Sequence, residues 1–539
     1  MLLSDTSKFI HLAANEVNLN IIEAEINSLT QELLQTEALH TTEAWSIKAR
    51  GSVLPRLYGL PKIHKLSNNH TVPANLPMRP VLSMTNSPYH GLAKWLNALL
   101  TPLRNGLCRF NVKDSFEFAS SVRDIDLSQF KMLSFDVVSL FTNIPLEETI
   151  EFICEEVSVS FPDFPLHIDL LRRCLRKCTS GIPFICNAKY YRQIDGVAMG
   201  SPLGPLLADI FMAKLERNQM SELISNFAYY VRFVDDTFVL CNERASTRQI
   251  LKQLNQCHPA IKFTVEEEVN DALSFLDVSV LRNRNDIATT RLHFKPTWSG
   301  QYINFYSFVP MTVKRNLVSN LANRVCMISN TEFKRADWDI IAKALSSNGY
   351  PKSFIEHNSK VWPRNPMNET DAEEPRKVLL RLQFRGEAAA QLLKRRIERT
   401  LHTNCHNVKL RPVFTSRTLI PTQTKDLLPV MSTPNVVYQF TCNICQKRYI
   451  GVTARRMLER VKEHIPKWIM RQLDGIPRSS VAEHIVSEGH WCDRDSSFEI
   501  IHKARHRNML KYVEAVAIKQ LKPELNIQHD FDYRLRLWS

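Results

Sequence analysis

The chain has 539 residues, 44% of them apolar, an ordinary globular share and enough length for two or three domains. Its formal charge is +14, and its Lys and Arg residues are spread along the chain instead of sitting in one tail, which points to a polyanionic partner, most simply nucleic acid. Twelve cysteines without the rhythm of a disulfide framework suggest a reducing compartment, and the lack of any 18-residue uncharged apolar run or basic-then-apolar leader leaves no membrane span or signal peptide to expect.

Residues 1–50 read mostly as helix, with Ile21, Ile22, Ile26, Leu29, Leu33 and Leu34 at helical spacing. In "LPRLYGLPKIHK", Pro55, Gly59 and Pro61 exclude a continuous helix, while Arg56, Lys62, His64 and Lys65 make a basic loop or strand edge. Residues 131–280 alternate short apolar strands ("KMLSFDVVSLF", "YYVRFVDDTFVL", "IKFTVEEE", "LSFLDVSV") with helical stretches, so an α+β domain is predicted. A helical pattern between about 314 and 345 carries Lys314, Arg315 and Arg324. The break "NGYP" at 348–351 and the polar run "PRNPMNETDAEEP" then mark a boundary. Beyond it, "KVLLRLQF" reads as a strand and "GEAAAQLLKRRIERTL" as a basic helix. The last unit, from about 431, opens with the strands "NVVYQF" and "RYIGV" around "TCNICQK", and a later helix over about 508–521 is ended by Pro523.

Two adjacent aspartates, Asp235 and Asp236, interrupt one of the apolar strands. Like charges so close repel by several kcal/mol at intermediate dielectric, so a fold retains them only with compensation. Asp136, at the end of the strand in "MLSFDVVSLF", offers a third carboxylate. Together the three suit two magnesium ions, oxygen-ligated with positions left for water and phosphate, and two such ions suit phosphoryl transfer. An acidic hairpin turn is the plainer alternative. Between these segments "DGVAMGSPLGPLLADIFMAKLE" places Gly196, Gly200, Pro202, Gly204 and Pro205 before a helix whose Leu206, Leu207, Ile210, Phe211 and Leu215 share one face. Glycines there permit close backbone approach to a ligand.

In the C-terminal unit, Tyr438 and Tyr449 lie on the two strands of a hairpin, and Arg456, Arg460 and His464 follow at i, i+4 spacing on a helix. Glu514 lies on the later helix and Asn526 follows in "KPELN". Two tyrosines, a cation, an imidazole and one carboxylate can cut a phosphodiester with a single metal ion. Tyr449 or His464 would help deprotonate water, Glu514 would hold magnesium and Arg460 would stabilise phosphate charge. Cys442-x-x-Cys445 with His484 and His490 matches a closed, structural zinc site, with His464 and Cys492 as rival ligands.

The ordered blocks "SFDVVSLF", "MGSPLGP" and "FVDD" resemble motifs A, B and C of reverse transcriptases. "RLYGLPKIHK", "FDVVSLFTNIP" and "KPTWSGQYINFYS" look specifically like Penelope-like retroelements, and "VVY…YIG" resembles the GIY-YIG nucleases that such elements carry at the C-terminus. Val436 and Val437 stand where the family has its first two letters. The resemblance implies an α+β multidomain protein: a helical segment at 1–50, a right-hand reverse transcriptase (fingers, palm and thumb) at 51–350, a basic connector at 351–430, and a small α/β GIY-YIG nuclease with a zinc site at 431–530. It implies Asp136, Asp235 and Asp236 as the catalytic metal-binding triad and Phe141 as the side chain that rejects a ribose 2′-hydroxyl. Arg79 in "MRPVLS" would contact the triphosphate, Gly200, Ser201 and Pro202 would border the substrate, and Arg56, Lys62 and Lys65 would neutralise phosphates. "GQYINFYSFVP" and the following helix would be the thumb. Tyr438, Tyr449, Arg460, His464, Glu514 and Asn526 would form the nuclease site, and Cys442, Cys445, His484 and His490 the zinc site.

The expected activity is RNA-directed DNA synthesis joined to DNA nicking by target-primed reverse transcription. Its partners would be an RNA template, a DNA primer or target and dNTPs, with no membrane. Its cofactors would be two Mg2+ in the polymerase site, one in the nuclease site, and structural Zn2+. Localisation would be nuclear, from the substrate, after synthesis in the cytoplasm. Penelope-like proteins carry more sequence before the fingers, so the resemblance implies a chain shortened at its N-terminus. A telomerase-like polymerase with a non-catalytic DNA-binding unit, or a degenerate or host-recruited nucleic-acid-binding copy, are the rival readings.

Overall fold

The structure is a computed structural model that describes residues 3, 5–6, 8–61, 78–359, 376–404, 408–416, 430–471, 473–504 and 509–526. Lys62 and Lys65 lie outside the described residues. In chain order the strands are β1 (Phe9–Leu12), β2 (Arg56–Pro61), β3 (Met78–Ser83), β4 (Phe130–Val137), β5 (Ile182–Cys186), β6 (Lys189–Gln193), β7 (Tyr229–Phe233), β8 (Asp236–Asn242) and β9 (Phe263–Glu267). Then come β10 (Ala272–Phe275), β11 (Val278–Arg282), β12 (Ala288–Leu292), β13 (Arg376–Gln383), β14 (Val408–Thr415), β15 (Val436–Thr441), β16 (Arg448–Thr453) and β17 (Phe498–Lys503).

The central sheet has the order β7-β8-β4-β9, all antiparallel. Leu133, Phe135 and Val137 of β4 alternate into the larger core, as the period of two requires for a sheet backed on one face by helices. The helix Gly204–Arg217 lies in that core and is buried nearly all round, with Ala208, Met212 and Ala213 as well as the expected leucines. The single apolar face read from its sequence is therefore too narrow: a helix enclosed by others has no solvent side.

Residues 1–50 are not a separate helical segment. β1 joins the edge of the sheet β1-β6-β5-β2-β3, and the helix Leu19–Gln35, capped by the Asn18 side chain, sets Ile26, Leu29 and Leu33 into the same core. Phe9, Ile10 and Leu12, interrupted by His11, are a short and weak strand signal, and the strong helical period that follows masks it. "LSFLDVSV" is likewise two strands, β10 and β11, joined through Leu276 and Asp277. The boundary expected at 350 also moves, since Tyr350 and Ile355 are buried in one core with β10–β12 and the helices Met311–Ile328 and Thr331–Ser347.

The expected strand and basic helix of the connector are present as β13 and Glu387–Asn404, and β14 completes a parallel pair with β13. In the last unit the sheet order is β16-β15-β17, antiparallel. This unit packs on the N-terminal helix: Arg456 pairs with Glu23 at 3.5 Å, and Gly51, at φ +63°, lies so near the Ala454 carbonyl that a Cβ would stand 2.3 Å from it.

Candidate active sites

β7 and β8 form a hairpin in which Phe233 pairs with Asp236, leaving Val234 and Asp235 as a two-residue turn. Val234 has φ +57°, an uncommon conformation for a β-branched residue and one found where surrounding structure holds a site in place. Asp236 lies directly opposite Asp136 in the β4–β8 register, and Val137 N donates to Asp235 O at 3.0 Å. The three aspartates therefore converge. The hairpin-turn alternative and the site are the same geometry: the turn is what carries the carboxylates. Burial raises the Asp236 pKa to about 7, helped by the negative charges of Asp235 and Asp136 and opposed by Lys295. Lys295 offsets this only in part, and three carboxyls so close together suit divalent ions.

Beneath the turn is a network that the sequence reading missed. Arg232 is 0% exposed, donates from Nη1 to the Val234 carbonyl at 3.1 Å, and pairs with Glu216 at 2.5 Å and Asp209 at 3.1 Å. Tyr230 adds a hydrogen bond to Glu216. The signal was present: Asp209 and Glu216, seven residues apart, lie on one stripe of a helix otherwise rich in apolar residues, and they needed a cation.

Phe141 is partly buried, with its ring 3.4 Å from where a Cβ of Gly204 would stand. Arg79 is exposed on β3, and the β2–β3 register places it on the same sheet face as Arg56. Burial and the charge of Arg56 both lower the Lys503 pKa, so Arg56 stands near the C-terminal unit. The expectation that the glycines admit a ligand is corrected. At Gly200, φ +113°, a Cβ would stand 2.4 Å from the Leu82 carbonyl, and at Gly196 2.7 Å from that of Thr142, so these glycines admit the chain's own backbone. Ser201 is buried with its hydroxyl accepting from Leu203 N, while Gly200 is exposed and Pro202 partly buried.

In the C-terminal unit, Tyr438, Tyr449, Arg460, His464 and Glu514 come together. Arg460 Nε donates to Tyr438 Oη at 3.0 Å, and Tyr438 lies 2.6 Å from His464 Nε2, whose Nδ1 lies 3.0 Å from Ser479 Oγ. Arg460 can only donate, and Ser479 Oγ also accepts from Ala482 N. A connected set of hydrogen bonds thus joins Arg460, Tyr438, His464 and Ser479. Burial and then Arg460 lower the His464 pKa to about 3, which keeps the ring neutral.

His464 is 0% exposed, so of the two residues considered for water activation only the partly exposed Tyr449 can meet water. Tyr438 and Tyr449 close over Gly451, where a Cβ would stand 2.5 Å from Tyr438 Oη. Burial raises the Glu514 pKa to about 7 against the pull of Arg460 and Lys511, and both tyrosines feel the Glu514 charge. Asn526 is corrected to a positioning residue: its amide donates to Ile450 O and accepts from Ile450 N, both at 2.8 Å, clamping β16 beside Tyr449. Arg456 turns away toward Glu23 and Glu459.

One ligand atom each from Cys442, Cys445, His484 and His490 lies within 4.8 Å of every other. Cys442 Sγ is 3.4 Å from His490 Nδ1, Cys445 Sγ 3.3 Å from His484 Nε2, and the two imidazole nitrogens are 3.4 Å apart. A tetrahedron with zinc bond lengths has N–N edges of about 3.4 Å and S–N edges of about 3.6 Å, so the four residues fit that ion. Cys442 is held near pKa 6: burial opposes ionisation, and hydrogen bonds from Cys445 N and His484 outweigh it. Of the rivals, His464 is committed to Tyr438 and Ser479, while Cys492 Sγ lies 3.7 Å from Cys442 Sγ, beside the four.

With this geometry in hand, comparison with known proteins gives the class. Residues 73–268 match the family model described as reverse transcriptase (RNA-dependent DNA polymerase), and the chain carries a reverse transcriptase domain there. Residues 301–360 match a model described as an animal helix-turn-helix domain. No curated protein matches the chain. Among solved structures, telomerase from Candida albicans is similar at 11% identity and TM-score 0.35, covering 54% of this chain and 56% of that one. Apo telomerase from Candida tropicalis is similar at 12% and 0.36, covering 57% and 59%. Sicinivirus 3Dpol RNA-dependent RNA polymerase is similar at 9% and 0.37, covering 59% and 70%. The chain thus spans little more than half the length of the telomerases it matches.

Proposed function

We propose that the chain copies RNA into DNA at Asp136, Asp235 and Asp236 and nicks DNA at the cluster around Tyr449 and Glu514, the nick supplying the 3′-hydroxyl that primes synthesis. This is target-primed reverse transcription by a protein of the Penelope-like kind, working on chromosomal DNA and hence in the nucleus. The observation that carries the polymerase half is the pairing of Asp136 with Asp236 beside Asp235, within the segment that matches reverse transcriptases. The nuclease half rests on the convergence of Tyr438, Tyr449, Arg460, His464 and Glu514.

Asp136, Asp235 and Asp236 would hold magnesium in the first site and Glu514 in the second, and the bound ion supplies the positive charge that favours an ionised attacking oxygen and offsets the leaving one. The chain's own groups do the rest. Arg79, on the exposed face of β3, takes the triphosphate charge, and Phe141 borders the position of the sugar. In the second site Arg460 carries phosphate charge while anchored by Tyr438, Tyr449 holds the attacking water, and neutral His464 fixes the Tyr438 hydroxyl. The Cys442, Cys445, His484 and His490 cluster, closed by four protein ligands, is structural.

Primer extension on an RNA template with magnesium tests the first half. Nicking of supercoiled plasmid by wild type and Glu514→Ala tests the second: equal nicking by both removes the nuclease assignment and leaves a polymerase with a DNA-gripping unit.

A further inference from the structure

Residues 376–416 contain ten lysines and arginines against two glutamates, a net +8 within a chain of +14. More than half of the molecule's excess charge thus lies in 41 residues, and the fold gathers it on one small unit. β13 and β14 pair in parallel from Arg376–Val408 to Gln383–Thr415, with the helix Glu387–Asn404 as the crossover. Leu382, Pro412 and Phe414 fall on the face that is partly covered. Leu379, Arg381 and Gln383 of β13 fall on the other, in register with Arg411, Val413 and Thr415 of β14. On that second face Leu379, Arg381, Gln383, Val413 and Thr415 are all exposed. Parallel strands are ordinarily covered on both faces, so this one lacks its cover.

The unit is not a loose tail. Glu387 accepts a hydrogen bond from Met311 N at 3.0 Å, and Phe384 packs on Phe308 with ring centroids 5.0 Å apart, which ties it to the start of the helix Met311–Ile328. On the crossover helix Lys394 and Arg395 are exposed. Neither the open face nor that helix carries a phenylalanine, tyrosine or tryptophan. Proteins that hold single strands stack bases on rings, whereas binding through phosphates alone needs only placed cations and short polar side chains.

We propose that the open face of the 376–416 unit, with the adjoining basic helix, is a docking surface for the phosphate backbone of double-stranded DNA, independent of sequence. The preference for duplex over single strands follows from the missing rings. The choice of DNA over RNA rests on the nuclease reading of the unit that follows it in the chain.

The test is the full-length triple variant Arg381→Gln, Arg385→Gln and Arg395→Gln, measured by fluorescence anisotropy on a 30-base-pair DNA duplex, an RNA duplex of the same sequence and single-stranded DNA, without magnesium. The control is Arg244→Gln, Arg248→Gln and Arg284→Gln, three exposed arginines elsewhere with the same loss of charge. Each lost phosphate contact removes about 0.9 from the slope of log affinity against log salt, so the first variant loses up to about 2.7 and binds duplex DNA at least roughly tenfold more weakly. Equal loss in the control reduces the effect to net charge and overturns the surface. Stronger dependence of single-strand binding on the three arginines overturns the duplex, and stronger dependence of RNA-duplex binding overturns DNA. Because cleavage is never measured, a failed nuclease assignment and a failed docking surface give different results.

Discussion

Asp236 and Glu514 each hold a carboxyl raised to about pKa 7, yet their surroundings have little in common. Around Asp236 the negative charges of Asp235 and Asp136 add to burial, and Lys295 answers only in part. Around Glu514 burial alone raises the pKa, while Arg460 and Lys511 pull it down. A site built on repulsion is incomplete without added positive charge. A site with its own guanidinium is nearly balanced before any ion arrives. On the proposed reading, the two halves of the chain would meet the same demand, stabilising charge on a transferring phosphate, with opposite divisions of labour between bound ions and side chains.

The most direct way to break this comparison is to exchange the losses. Asp136→Asn is expected to lower primer extension on the order of 10³-fold, at least what the loss of one charge-stabilising group costs, and to leave nicking unchanged. Glu514→Gln should do the converse. If either substitution removes both activities, the sites are not separate.

The next largest effect concerns the cluster of Cys442, Cys445, His484 and His490, which lies in the C-terminal unit only. Cys442→Ser, or a zinc chelator, should lower nicking by about a hundredfold through loss of the packed turn, with primer extension retained, and zinc content measured by atomic absorption should fall from one per chain to none. Retained zinc in Cys442→Ser would move that ligand elsewhere.

Arg232 sharpens the other half. Removing one member of a buried ion pair leaves its partners charged and unpaired, at about 3–5 kcal/mol. Arg232→Met takes the guanidinium from Glu216 and leaves Asp209 with Arg104 at 3.8 Å. Thermal unfolding should report the loss. Because Arg232 also bonds the Val234 carbonyl, the magnesium concentration for half-maximal extension should rise as well, which a purely structural change elsewhere in the core would not produce.

What was legible in the sequence follows the range of each signal. The strands bearing Asp136, Asp235 and Asp236, the hairpin of Tyr438 and Tyr449, and the set Cys442, Cys445, His484 and His490 are short patterns, and the structure brings the members of each together. The errors concern what packs against what. His464 and Asn526 looked chemical because nothing local shows that one is capped by Tyr438 and Ser479 and the other is spent on Ile450. Gly200 looked like a ligand's doorway because the carbonyl that fills it belongs to Leu82, more than a hundred residues earlier. β1 was missed since its partner β6 lies far along the chain. Local period carries no information about such pairings.

The smallest predicted effect tests the electrostatic root of the comparison. In the metal-free protein Asp236 retains its proton up to about pH 7, well above the ordinary carboxylate range, so the folded state binds more protons than the unfolded chain between about pH 4 and 7. Its contribution to stability is therefore greatest at the acid end of that window and is lost as pH rises through 7. A divalent ion must expel this proton. Calorimetric titration with magnesium at pH 6.5, in two buffers of different ionisation enthalpy, should show proton release that fades by pH 8.5 and is reduced in Asp236→Asn. Glu514 contributes release of the same sign, so Glu514→Gln should remove a separate part, and the double variant should release none. Release that survives both substitutions would place the titrating group elsewhere and leave the crowding of Asp136, Asp235 and Asp236 without its measured consequence.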